Sequence, residues 1–198
     1  AGDMVLSATS NIVTWFHGKI YRVKYLKSIN LCFLPDLRTD EDAYFNIIAW
    51  NGTENKGYID EITYIWRNNN NSVTRQKPRK DYFTETHMNY ISGQARALKR
   101  IYELNGTLDD KFVTNTFINL YYYYMEAKFY QCNISVIDNC LSALRTEPWI
   151  DTWYKSRETW QHAVSTVKAG AVYEDRYIAF YKEDFYSWCE KLFKGDNQ

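Results

Sequence analysis

Through most of the second half of the chain, apolar residues recur at helical spacing. Ile91, Ala95, Leu98 and Tyr102 line one face of a helix over 86–104, and Asn105-Gly106 supplies its stop. Thr107, three residues before Asp110, opens a second helix reaching about Cys132, with Val113, Phe117, Leu120 and Tyr124 as its stripe. A short helix over 135–144 follows a tight connection. Thr146-Glu147-Pro148 starts another, since proline is tolerated in a first turn, and Ile150, Trp153, Trp160, Val164 and Val167 continue it to Gly170. A last helix carries Tyr173, Tyr177, Tyr181, Phe185, Trp188 and Leu192 and ends at Lys194-Gly195.

The first half is ambiguous in period. Thr39 followed by Asp40, Glu41 and Asp42 loads the first turn of a helix with acids; Tyr44, Ile47 and Ile48 continue its stripe, and Asn51-Gly52 stops it. The segments 20–25 and 62–66 alternate and are rich in β-formers, yet both also fit a helical period. The expectation is a mainly α, aromatic-rich domain spanning residues 1–198, with a small N-terminal hairpin or sheet (an α+β fold) as the alternative. The polar, then basic, stretch 68–80 reads as a long exposed loop between two halves.

Composition changes this picture in one respect. The 198 residues include 18 Tyr, 10 Phe and 7 Trp, side chains that serve cores and wet binding surfaces equally well. Acidic and basic residues balance at 24 each, which argues against a nucleic-acid binder relying on a broad basic footprint. No apolar run approaches the length of a membrane span. The chain opens Ala-Gly-Asp-Met without a basic or apolar leader, so any signal peptide is expected to have been removed already.

Cysteines and sequons bear on compartment. Cys32, Cys132, Cys140 and Cys189 form no C-x-x-C, and His17, His87 and His162 are scattered, so no metal site and no cofactor are expected. An even count favours two disulfides. Cys132–Cys140, across a short helix-to-helix connection, and Cys32–Cys189, tying the N-terminal half to the last helix, are the preferred pairs among three possible pairings. Asn51, Asn70, Asn105 and Asn133 each open an N-x-S/T sequon, where composition alone predicts about two. Together these features point to a secreted glycoprotein.

Motifs that carry chemistry are scarce. Arg75, Lys77, Arg79 and Lys80 concentrate four cations in six residues and are the candidates for gripping an anion or an acidic partner; a solvated loop is the plainer explanation of them. Tyr121, Tyr122, Tyr123 and Tyr124 ring one helix, so at least one must point away from the core. Trp149, Asp151, Trp153, Glu158 and Trp160 suggest sugar stacking beside carboxylates, though nothing in the sequence brings any two to one cleft. Gly18-Lys19 lacks the glycines of a phosphate loop, there is no G-x-S-x-G or H-E-x-x-H, and His87 near Glu85 has no partner to make it a base. No catalytic residue is assigned.

Helical, aromatic-rich, with an even handful of cysteines and several sequons, the chain resembles the secreted salivary glycoproteins of blood-feeding insects. The resemblance spans the whole chain and carries no diagnostic motif. It implies a non-enzymatic, extracellular effector that recognises a protein partner, of host or self origin, through an aromatic surface. Cys132-x7-Cys140 departs from the tighter spacings of odorant-binding-like members, which puts a carrier of that type in doubt. Two alternatives stay open: a carrier holding a small hydrophobic or aromatic ligand in an internal cavity, and a glycan-active enzyme. A cleft with carboxylates of raised pKa would favour the enzyme.

Overall fold

The computed structural model describes residues 2–7, 16–65, 67, 79–157 and 184–194. It is mainly helical with one small sheet, as the hydrophobic pattern predicts. The chain divides into two compact units, Ala1–Gly106 and Thr107–Gln198. The division falls at the Asn105-Gly106 helix stop and not within the basic stretch.

Unit 1 contains β1 (Met4–Ser7), β2 (Lys19–Tyr21), α1 (Val23–Ser28), α2 (Glu41–Asn51), β3 (Lys56–Ile59) and α3 (Arg79–Asn105). Strand β1 is central: it pairs antiparallel with β2, with Val5 opposite Ile20, and parallel with β3, with Leu6 opposite Tyr58. Side chains alternate across a strand, so Met4 and Leu6 face one way and Val5 the other. Met4 and Leu6 pack with Phe45 and Ala49 of α2 into a core that Tyr21, Leu26, Leu31 and Trp50 partly cover. On its other side α2 meets α3, where Gly93 leaves room for Leu37 and Tyr44. Helix α2 is therefore clad on all sides, and Ala43 through Ala49 are all buried. That explains a sequence apolar nearly all round.

The 20–25 ambiguity resolves as both readings in succession, because β2 ends at Tyr21 and α1 begins two residues later. The 62–66 segment is in neither state where it is described; the third strand lies just before it, and β1, of which the pattern gave no warning, is the strand that joins the other two. Helix α3 starts at Arg79, so Arg79 and Lys80 open a helix instead of closing a loop. Gly106 ends α3 in a left-handed turn (φ 73°), its N–H donating to the Tyr102 carbonyl at 2.7 Å.

Unit 2 contains α4 (Asp110–Phe129), α5 (Ser135–Leu144), α6 (Ile150–Lys155) and α7 (Phe185–Lys194). Asp109, not Thr107, caps α4: its carboxylate accepts from the Phe112 N–H at 2.7 Å. Asp184 caps α7 in the same way, through the Ser187 N–H at 2.8 Å. Phe117 is the hub of the core, stacked on Trp153 at 4.4 Å with Phe193 edge-on at 5.4 Å. The Trp153 indole N–H donates to the Thr114 hydroxyl at 3.0 Å, and that hydroxyl donates to the Asp110 carbonyl, so these two buried groups are satisfied in series.

Candidate functional site

The acidic turn before α2 is where the local rules fail. An aspartate before a helix ordinarily adopts extended backbone and spends its carboxylate on the second or third N–H of the helix. Asp40 sits in left-handed conformation (φ 58°, ψ 18°) and caps nothing. Its Oδ2 is shielded from water and, among the described residues, has no hydrogen-bond partner. Burial, then the neighbouring Asp42 and Glu41 carboxylates, push its pKa from 3.8 up to about 7. A half-buried acid surrounded by acids therefore changes charge near neutral pH.

Several contacts hold the turn in place. The Asn89 amide of α3 donates to the Thr39 hydroxyl at 3.0 Å. Arg96 of α3 pairs with Asp36 at 2.6 Å, and the Arg100 guanidinium donates to the Ile29 carbonyl at 2.8 Å. Asp42 accepts from the Ala43 N–H at 2.8 Å. Its carboxylate also acts on β2. Burial pulls the Lys19 ammonium down to about 8, with Asp42 partly offsetting that fall, and burial with Asp42 raises the Tyr21 phenol. Tyr21 donates to the fully buried Asn46 of α2. Lys19 also donates to the His17 carbonyl at 3.3 Å, and the His17 ring lies 4.2 Å from that of Tyr64. Phe16 and Phe33, both substantially exposed, extend the aromatic cluster of Tyr21 and Phe45 outwards; Phe33 stacks on Phe45 at 4.6 Å. The outcome is a polar turn of three acids, with Lys19 coupled to one of them.

The residues singled out from the sequence fall elsewhere. None of the four cysteines is in a disulfide: Cys32 is exposed, Cys132 and Cys140 are half-buried, and Cys189 is buried with its thiol pKa raised by that burial. The expected Cys132–Cys140 bridge is absent, and helix geometry gives the reason. Cys132 precedes α5, whereas Cys140 lies more than a turn inside it, where the helix fixes the direction of its side chain. The Cys32–Cys189 bridge is absent as well, and its two residues belong to different units.

Of the sequons, Asn105 and Asn133 are exposed and Asn51 is half-buried. Each also has a structural duty. The Asn51 amide donates to the Ile47 carbonyl and the Asn105 amide to the Asn51 carbonyl, both at 2.8 Å, covering the open end of α2. Asn133 accepts from the Ser135 N–H and hydroxyl at the start of α5. Asn70, Arg75 and Lys77 lie outside the described residues, and for Arg79 and Lys80 the backbone alone is described. Trp149 and Trp153 are buried in the core and offer no face to a sugar; Glu158 and Trp160 lie outside the described residues. Tyr121 is buried, whereas Tyr122, Tyr123 and Tyr124 are half-buried. Among the described residues no cluster of His, Cys, Asp and Glu is arranged to hold a metal. None of their helices is long and apolar enough to cross a membrane.

No protein-family model matches the chain, and no solved structure matches it. Over 64 residues, 31% of its length, the chain is 39% identical to a Bacillus subtilis (strain 168) protein described as an uncharacterized glycosyltransferase, EpsJ. The match spans 19% of that protein.

Proposed function

We propose that unit 1 carries a sugar-transferring site in which Asp40 is the general base. The observation that carries this reading is the Asp40 carboxyl itself: not used as a cap, half-buried with its Oδ2 shielded and, among the described residues, without a hydrogen-bond partner, and pushed up to about 7 beside two further acids. Moving a sugar from an activated donor to a hydroxyl requires the proton of that hydroxyl to leave as its oxygen attacks the anomeric carbon. The new C–O bond forms, the bond to the leaving group breaks, and the leaving group departs with the electron pair. A base works best when its pKa lies near the working pH, and proton transfer of this kind is worth about 10²–10⁴-fold. Lys19, coupled to Asp42, supplies positive charge beside the same acids. The partial kinship with a protein named as a glycosyltransferase supports the same class of chemistry.

The test is nucleotide release from a panel of nucleotide-activated hexoses, with and without simple sugar acceptors, comparing the chain with its Asp40→Asn variant. Release should rise with pH through about 7 and fall at least about 100-fold in the variant. Equal release from both proteins would remove Asp40 from the chemistry.

A second reading rests on a different observation. The sheet face opposite Met4 and Leu6 carries Val5, Ile20 and Ile59, and Ile20, Ile62 and Ile65 are well exposed. Apolar side chains in such positions suit a protein partner. This keeps the secreted, salivary-type binding protein as the alternative, acting outside the cell on a host or self protein, with this face in place of a purely aromatic one. Here Ile20→Asp should abolish capture of the partner from host fluid while Asp40→Asn leaves it unchanged. The reverse pattern would favour the enzyme.

A further inference from the structure

Unit 2 holds a cavity of about 300 Å³, walled by α4, α5 and α7. Its character is set by charge. Lys128 of α4, Arg145 just beyond α5 and Lys191 of α7 line it together with, among the described residues, one carboxylate, Asp138, and Tyr124 and Trp188 form an aromatic wall. A pocket for an apolar ligand is mostly hydrophobic with a few polar groups, and this one is the reverse.

The cations are positioned by the fold. The Arg145 guanidinium donates through Nε to the Leu192 carbonyl and approaches the Lys191 carbonyl at 3.4 Å. It thus sits on the last turn of α7, where orphan carbonyls carry partial negative charge. That contact fixes the plane of the guanidinium at the cavity edge. The Lys128 ammonium lies 5.4 Å over the Tyr124 ring, whose centre is 5.9 Å from that of Trp188. Three donors from three elements suit an anion with several acceptor oxygens, such as a phosphate monoester. Asp138 would repel a bare dianion, but it accepts a hydrogen bond from a hydroxyl carried by the same ligand. The volume lies at the small end for ligand sites, enough for a monosaccharide and too little for a dinucleotide.

We propose that this cavity binds a small phosphorylated polyol of sugar-phosphate size, with Lys128, Arg145 and Lys191 on the phosphate and Asp138 on a hydroxyl. The proposal is independent of the Asp40 site, which lies in the other unit.

The test is calorimetric titration of the full chain with glucose 6-phosphate, inorganic phosphate, glucose, and phosphatidylcholine vesicles with and without phosphatidic acid. Glucose 6-phosphate should bind below about 1 mM, roughly tenfold tighter than inorganic phosphate, and glucose should not bind. Lys128→Gln and Lys191→Gln should each weaken glucose 6-phosphate about tenfold with unchanged circular dichroism and melting temperature. Asp138→Asn should tighten inorganic phosphate and so narrow the gap between the two ligands. Arg145 is left intact because it also caps α7. Equal binding of glucose and glucose 6-phosphate, or lysine variants that fold and bind as well as the parent, would overturn the proposal. Binding of phosphatidic-acid vesicles without the soluble ester would overturn the soluble ligand and assign the phosphate to a lipid.

Discussion

Replacing Asp40 with Asn should make the protein more stable at neutral pH and above, and should leave stability at pH 4 unchanged. The folded carboxyl titrates near 7 and the unfolded one near 3.8, so the native state holds the proton more tightly. For a group raised in this way, the penalty is absent below the unfolded pKa. It accumulates as pH rises between the two values and is complete above the folded pKa. About three pH units at roughly 1.4 kcal/mol each set a ceiling of about 4 kcal/mol. Water reaching the half-buried turn reduces the expected gain to about 2–3 kcal/mol at pH 8. Asparagine is the informative substitution because it preserves shape and tolerates the left-handed backbone that Asp40 adopts. The assay is urea unfolding of parent and variant at pH 4, 6 and 8. The stability difference should open between pH 4 and 7 and then level off. A variant that is less stable than the parent at pH 8, or a difference independent of pH, would refute the buried, unpaired carboxylate and the general-base reading built on it.

Trp153→Phe should cost about 1–3 kcal/mol in urea unfolding, because it leaves the buried Thr114 hydroxyl without the indole N–H and opens space beside Phe117. Arg96→Ala, which removes a short but exposed ion pair with Asp36, should lower stability only slightly in urea unfolding and lose that effect at high salt. With a thiol reagent and no reductant, Cys32 should react rapidly in the folded protein and Cys189 only on unfolding, with four thiols counted in denaturant. Fewer than four would restore a disulfide.

Where the sequence was legible, local signals sufficed. Helix α5 was read with its observed bounds, and α2 and the Gly106 stop were read nearly so, because the 3.6-residue period, with a glycine just past α2 and α3, marked them. The sheet was harder. Strands β1, β2 and β3 are only three or four residues long, too short for a period to show, and the parallel β1–β3 pair joins segments fifty residues apart. Register at that separation is a tertiary decision. Cap identity failed at α4 for a related reason: Thr107, Asp109 and Asp110 all suit the role, and packing chose Asp109.

The candidate site was hidden by a rule that usually works. Acids in the first turn of a helix are favoured by its dipole, so Asp40, Glu41 and Asp42 read as ordinary helix-start chemistry and not as a site. What separates Asp40 from its neighbours is a left-handed backbone conformation in which its carboxylate caps no helix N–H group, and a setting that shields one carboxylate oxygen, Oδ2, from water. Neither is written in the local sequence. The turn is held by Asn89, and the segment leading into it by Arg96 and Arg100, all on α3 and about fifty or more residues away along the chain. A helix start built only for stability would use Asp40 as a cap, worth about 1 kcal/mol. This one forgoes the cap and leaves a half-buried carboxylate oxygen without a partner among the described residues, a double cost that local stability does not explain. Such a cost supports the proposed role of Asp40 as a base held near neutral pH.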